Sequence, residues 1–252
     1  MADSTDQDWK KWGKTDPYFA VCSSEQFRLN NLNSDSRDQF FAGGSEHIEH
    51  VFKMVRSFIP SFAPSSAVDF GCGTGRLLIP LAQKCTAKVV GVDISEEMLS
   101  ETRRNCEAHG IRHAQLLLSD DSLSLLQDHY DFIHSFIVLQ HIPVLRGEEI
   151  FRALLNRLNA KGVFALHFTV GTEASLFRRS IYWMRKTVPF MHPLISFLRG
   201  QPFGAPLMQM NIYSLDRLKK IALGQNISNL SISSIRNGGY TSVYLVGQLD
   251  AK

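Results

Sequence analysis

Short apolar runs alternate with polar, helix-spaced stretches through the middle of the chain. The runs AVDF (67–70), KVVGVD (88–93), AQLLL (114–118), YDFIHS (130–135) and GVFALHF (162–168) are brief and rich in β-branched and aromatic residues, which predicts strands. Between them, apolar residues recur at helical spacing over about 76–84, 96–109 and 147–158. Strand and helix in alternation make βαβ units, so a parallel sheet is expected. Further on, SLDRLKKIAL (214–223) reads as a helix. The alternating runs LSISSI and YTSVYLVGQL flank Asn237-Gly238-Gly239, a hairpin signal, so the sheet should end in an antiparallel pair.

Two regions depart from this rhythm. Residues 1–44 are polar yet carry Trp9, Trp12, Tyr18, Phe19, Phe27, Phe40 and Phe41, which predicts short helices packed on a larger body, an N-terminal helical cap. The remainder, 45–252, reads as one α/β domain with an insertion over about 171–213. From Ala174 through Leu215 there is no acidic residue, while Arg178, Arg179, Arg185, Lys186 and Arg199 lie among aromatic and aliphatic neighbours. A lid of that composition suits an apolar or aromatic acceptor carrying negative charge. It also suits contact with an anionic membrane surface through 176–199, and a structural cap with a solvated basic face is the third reading.

Overall charge alters little: 27 basic against 24 acidic residues give a net charge of +3, too balanced to argue for nucleic acid. Cys22, Cys72, Cys85 and Cys106 lack C-x-x-C spacing, so no metal site is expected. With no apolar signal-peptide stretch at the N-terminus and no transmembrane-length run, the expected location is the cytoplasm.

Candidate chemistry centres on VDFGCGTGRLLIPLA (68–82). Glycine at 71, 73 and 75 follows Asp69, whereas a dinucleotide fingerprint would need its third glycine at 76, where Arg76 stands. An acid ahead of the turn repels a pyrophosphate and attracts an ammonium group, and bare backbone admits a bulky ligand. One βα unit later, Asp93 ends the second strand and can accept both ribose hydroxyls, with Ile94 against the purine. Asp120 or Asp121, after the third strand, can accept from an adenine amino group; Asp120 is the first choice. Three acids at the ends of three neighbouring strands outline one adenosine.

Through VDFGCGTGRLLIPLA, VVGVDISEEML, YDFIHSFIVLQHIP and LLNRLNAKGVFALHF, about residues 40–170, the sequence resembles the class I S-adenosylmethionine-dependent methyltransferases, particularly the small-molecule branch with a methyltransferase type 11 domain. The resemblance implies a Rossmann-like, seven-stranded, mostly parallel sheet with its last strand antiparallel, and S-adenosylmethionine as cofactor. It implies that Asp69, Gly71, Cys72, Gly73 and Gly75 contact the methionine part, Asp93 the ribose, and Asp120 or Asp121 the adenine. DQFFAGGSEH resembles the stretch in which backbone near Phe41 and Gly44 approaches the cofactor carboxylate.

Methyl transfer needs alignment and exclusion of water, and an oxygen or nitrogen acceptor also needs a base. His141, just past the fourth strand, and His167, at the end of the fifth, are the candidates, while His134 inside a strand reads as a satisfied core histidine. The expected partner is a small-molecule acceptor methylated at oxygen, with nitrogen or carbon as alternatives; the oligomeric state is not legible. Nucleic-acid methylation is disfavoured, because Asp16-Pro17-Tyr18-Phe19 has one proline instead of two and follows no apolar strand. A non-catalytic cofactor-binding protein on the same fold is the other alternative.

Overall fold

The structure is a computed structural model that describes residues 4–173, 195, 206–237 and 239–251. Three helices come first, α1 (Ser4–Thr15), α2 (Pro17–Val21) and α3 (Ser34–Phe58). There follow β1 (Ser66–Phe70), α4 (Leu78–Lys84), β2 (Lys88–Asp93), α5 (Glu96–Ala108), β3 (Ala114–Leu118), β4 (Tyr130–Ser135), α6 (Val144–Leu155) and β5 (Leu158–Thr172). After the insertion come α7 (Leu215–Leu223), β6 (Leu230–Asn237) and β7 (Tyr240–Gln248).

The seven strands form one sheet in the order β3-β2-β1-β4-β5-β7-β6. β1 to β5 pair in parallel, and β7 runs antiparallel to both β5 and β6. The expected antiparallel ending is therefore present, with β7 inserted between β5 and β6. Strand order reverses between β1 and β4, and in open α/β sheets ligands bind at the carboxyl ends beside such a reversal.

One face of the sheet packs Val68, Ile133, Phe164, Leu166 and Phe168 against α6 and α7. The other packs Ala67, Phe132, Val163 and Val246 against α3 and α4. Covered on both faces, β1 is buried throughout and β4 at every residue but Asp131.

Two elements differ from the sequence reading. α3 is a single helix of 25 residues, so a boundary at residue 44 falls inside it. Gly43 and Gly44 lie within it, although each glycine costs a helix about 1 kcal/mol. Here Gly44 is required: a Cβ there would collide with the Arg76 carbonyl of the facing loop. The capping box in which the Ser36 amide donates to Asn33 Oδ1 (2.9 Å) and the Asn33 amide to Ser36 Oγ (2.8 Å) starts the helix. β5 is 15 residues long, far beyond the predicted 162–168, because β7 pairs along it from Gln248 to Tyr240 and satisfies the extra backbone. The five basic residues Arg178, Arg179, Arg185, Lys186 and Arg199, and most of the predicted lid, lie outside the described residues.

Candidate functional site

A cavity of about 920 Å³ opens over the carboxyl ends of β1, β2 and β4. Its floor is the turn after β1 together with Asp93 and Ile94. Its walls come from α1 and α2 (Trp9, Ala20, Val21), from α3 (Gly43, Glu46, His47), from the loop after β4 (Phe136 to Val138, Gln140, His141) and from Met208 and Met210.

The glycine turn is shaped by backbone conformation. Gly71 (φ 76°) and Gly73 (φ 55°) occupy the left-handed region that side chains avoid. A Cβ on Gly73 would stand 2.6 Å from Val21 Cγ2, and one on Gly71 would collide with Val138. The space freed by these glycines thus admits two valines that form the rim of the cavity, a packing role the sequence does not disclose. Cys72 is buried at the cavity lining, and burial holds its thiol well above the usual range, so it is no nucleophile.

Asp93 is tied into the turn: its Oδ2 accepts from the Gly73 amide (2.9 Å) and its Oδ1 from the Ser95 amide (3.0 Å). Desolvation nevertheless pushes the carboxyl up to about 6, against the opposing pull of these backbone donors. Ile94 lies beside it on the cavity wall.

Asp69 is buried at the end of β1 and bound to His134, whose Nδ1 lies 3.0 Å from Asp69 Oδ1. His134 Nε2 stands 3.2 Å from the Tyr244 hydroxyl, so both nitrogens of this core histidine are satisfied. The same hydroxyl lies 2.7 Å from His47 Nε2. His47 lines the cavity and packs on Phe136, ring centres 4.0 Å apart. Burial pushes its imidazole down to about 3, and repulsion from His134, Arg76, His50 and His167 adds to the effect.

The remaining predicted residues divide. Asp120, the first choice for adenine, does not line the cavity: its carboxylate is spent on its own turn, accepting from Ser122 Oγ (3.0 Å) and the Ser124 amide (2.9 Å). Its neighbour Asp121 does line it, paired with Arg146 at 2.6 Å, and Arg146 also grips Asp6 of α1 through two hydrogen bonds of 2.7 and 2.9 Å. Phe41 packs on Phe40 and His109, and Gly44 on the Arg76 backbone; the helical face that meets the cavity is instead Gly43, Glu46 and His47. Positions 43, 46 and 47 share one side of a helix, whereas Phe40, Gly44 and Ile48 follow the buried stripe one step round.

His141 lines the cavity under Trp9, ring centres 4.9 Å apart. Its Nδ1–H donates to the Gln209 carbonyl at 2.5 Å, and the Gln140 side-chain amide lies 3.2 Å from its Nε2. Both nitrogens are engaged, and burial pushes the ring down to about 4. His167 is fully buried, does not line the cavity and has no hydrogen-bond partner for either nitrogen among the described residues. Desolvation takes it to about 4 as well. Sequence reasoning passed over His47 and Tyr244. The phase of α3 against the Gly43 notch was the one signal that pointed to His47.

A protein-family model described as a methyltransferase domain matches residues 67–162, less than half of the chain. A carboxy-S-adenosyl-L-methionine synthase of Methylococcus capsulatus is 31% identical over 134 residues, 51% of this chain and 55% of that protein. A ubiquinone biosynthesis O-methyltransferase of the same organism is 29% identical over 152 residues, 55% of this chain and 59% of that protein. The chain thus spans little more than half the length of these curated relatives. Among solved structures, a magnesium protoporphyrin IX methyltransferase of Synechocystis PCC 6803 with bound S-adenosylhomocysteine aligns over 98% of this chain and 99% of that one, with TM-score 0.65 and 19% identity. That likeness concerns the fold.

Proposed function

We propose that this chain, which belongs to the class I S-adenosylmethionine-dependent methyltransferases, moves a methyl group from S-adenosylmethionine to an oxygen of a small, largely apolar molecule. The observation that carries the reading is the cavity itself. A half-buried carboxylate at the end of β2, braced by the Gly73 and Ser95 amides, shares one enclosure with a glycine turn, a second acid at the end of β1 and an aromatic and thioether wall.

On this reading Asp93 accepts from the ribose hydroxyls, Ile94 packs on the purine and the turn from Gly71 to Gly75 takes the methionine part. Asp121 with Ser119 stands at the adenine end, in place of Asp120. The acceptor lies towards Phe136, Met208 and Met210, whose soft, apolar surfaces adapt to a flat or aliphatic ligand. Oxygen as the methylated atom is supported by the name of the ubiquinone biosynthesis O-methyltransferase relative. The cofactor supplies an electrophilic methyl on a positively charged sulfur. The chain's own work is alignment of the acceptor with it and exclusion of water, worth about 7–11 kcal/mol when complete.

Among the described residues no helix is long and apolar enough to cross a membrane. The basic segment 176–199 remains a proposed acceptor or membrane contact. The test is incubation with methyl-labelled cofactor and fractionated metabolites from the source organism. Label in a small apolar or anionic metabolite supports the reading; label confined to RNA, DNA or protein, or none at all, overturns it.

A further inference from the structure

Four polar residues far apart in sequence form a continuous hydrogen-bonded chain beneath the cavity: His47 to Tyr244 (2.7 Å), Tyr244 to His134 (3.2 Å) and His134 to Asp69 (3.0 Å). Sheet order assembles it. Asp69 pairs in register with His134 across β1 and β4, and Tyr244 reaches over from β7, where it is fully buried. α3 then lays His47 on top. The middle members His134 and Tyr244 are 0% exposed and lie off the cavity, whereas Asp69, 2% exposed, and His47 border it at the two ends of the chain. A buried polar chain is costly unless its inner members are satisfied, as His134 and Tyr244 are here, and at its half-buried outer end stands Nδ1 of His47, which has no hydrogen bond among the described residues.

We propose that His47 is the base that takes the acceptor's proton, and that Tyr244, His134 and Asp69 form a relay behind it. This rests on the methyl-transfer reading with an oxygen acceptor. With Asp69 ionised, His134 Nδ1–H donates to it, Tyr244 O–H donates to His134 Nε2, and His47 Nε2–H donates to the Tyr244 oxygen, which leaves His47 Nδ1 bare on the cavity side. In the reaction the acceptor O–H bond breaks and its proton goes to His47 Nδ1. The Nε2 proton of His47 passes to Tyr244, whose own proton passes to His134 Nε2. The acceptor oxygen then forms its bond to the methyl carbon as the carbon–sulfur bond breaks, and the sulfonium becomes a neutral thioether. The positive charge finishes on a His134 imidazolium against the Asp69 carboxylate, as in other sites where a buried acid steadies a protonated histidine.

The alternatives are weaker on geometry. His141 has both nitrogens committed to Gln209 and Gln140, and His167 is closed off from the cavity. The relay also meets a specific difficulty: burial holds His47 neutral, hence available, but makes an imidazolium at that position costly. Passing the proton inward removes that charge from the cavity wall.

Two measurements test this. Diethyl pyrocarbonate reacts with a bare neutral imidazole nitrogen, forming a nitrogen–carbon bond with release of ethanol and carbon dioxide, and mass spectrometry follows each histidine separately. The expected result at pH 7 is that His47 is modified, and that Tyr244→Phe slows its modification several-fold while the exposed His50 is unchanged. An unreactive His47, or equal rates in the variant, overturns the relay whether or not methyl transfer is found. With the acceptor identified by labelling, His47→Asn should lower kcat by about a hundredfold or more with cofactor Kd unchanged. His47→Gly should be rescued by millimolar imidazole, an effect a packing role would not give. Full activity in both variants, or loss without rescue, overturns the base assignment and leaves the methyltransferase reading intact.

Discussion

Replacing Asp93 by Asn separates ligand binding from folding more cleanly than replacing it by Ala. Alanine would strand the Gly73 and Ser95 amides, which the carboxylate now accepts at 2.9 and 3.0 Å. Asparagine keeps one acceptor oxygen and the shape. A hydrogen bond to a charged group is worth about 1.5–3 kcal/mol and a neutral one about 0.5–1.5, so the two proposed ribose contacts should lose roughly 2–3 kcal/mol together. That is about a 30- to 150-fold rise in Kd.

Stability should move differently. The carboxyl sits at about 6 in the folded protein against 3.8 in the unfolded chain, so between these values the folded state keeps a proton that the unfolded chain has released. Its contribution is most favourable below 3.8 and declines as pH rises through 6. At pH 7.5 the ionised, desolvated carboxylate therefore opposes folding by at most about 3 kcal/mol. Asparagine removes that penalty and loses one amide partner, worth about 1–3 kcal/mol. Melting temperature should stay level or rise while binding weakens.

Calorimetry with S-adenosylhomocysteine between pH 5 and 8, paired with thermal melts, makes the comparison. Wild-type affinity should hold above pH 7 and weaken towards tenfold per unit below about 6 as Asp93 takes up its proton. The variant should be flat with pH. Undiminished binding by a folded Asp93→Asn protein would refute the placement of the ribose.

Gly73→Ala forces a side chain into φ 55° and against Val21, so it should lower stability by about 1–2 kcal/mol and abolish cofactor binding; wild-type melting and affinity would count against the turn's role. Arg146→Leu removes the double hydrogen bond to Asp6, and cleavage within residues 4–23 by a nonspecific protease should quicken several-fold, with added cofactor slowing it again; an unchanged digestion pattern would mean that α1 is held by its apolar contacts alone. Arg178 and Arg179 changed together to Glu should raise the acceptor's KM far more than the cofactor's, and equal kinetics would return the segment to a structural cap.

What the sequence made legible was local. β2, β3 and β4 fall on the residues their patterns named, because each is a short apolar run with a turn at either end. Asp93 and the glycine turn stand together because they close adjacent βα units, a juxtaposition that parallel topology imposes. Illegible features all depend on contacts between distant segments. α3 carries a glycine, Gly44, that only a facing carbonyl explains, and β5 doubles in length because of a partner about 80 residues away. Asp120 and Asp121 are chemically identical in sequence; Ser122 and Ser124 capture one, and Arg146 draws the other to the cavity. Tyr244 sits in an alternating strand whose pattern says only that it is buried. Its part in a polar chain follows from β7 lying beside β5, which no local signal records.

That position of β7 bears on how the molecule is made. A chain folded only as far as Thr172 would pair β5 with β4 on one side and leave its other edge, from Val163 to Thr172, as a free margin carrying Phe164, Leu166 and Phe168. Long apolar margins recruit strands from other molecules. β7 covers this one by antiparallel pairing from Val163 to Thr172, and the outermost place passes to β6, which is shorter and rich in serine. The hairpin thus works as a guard as well as a structural pair. Weakening it, for instance by a proline at Val243, should appear first as precipitation during refolding, before any loss of ligand affinity can be measured.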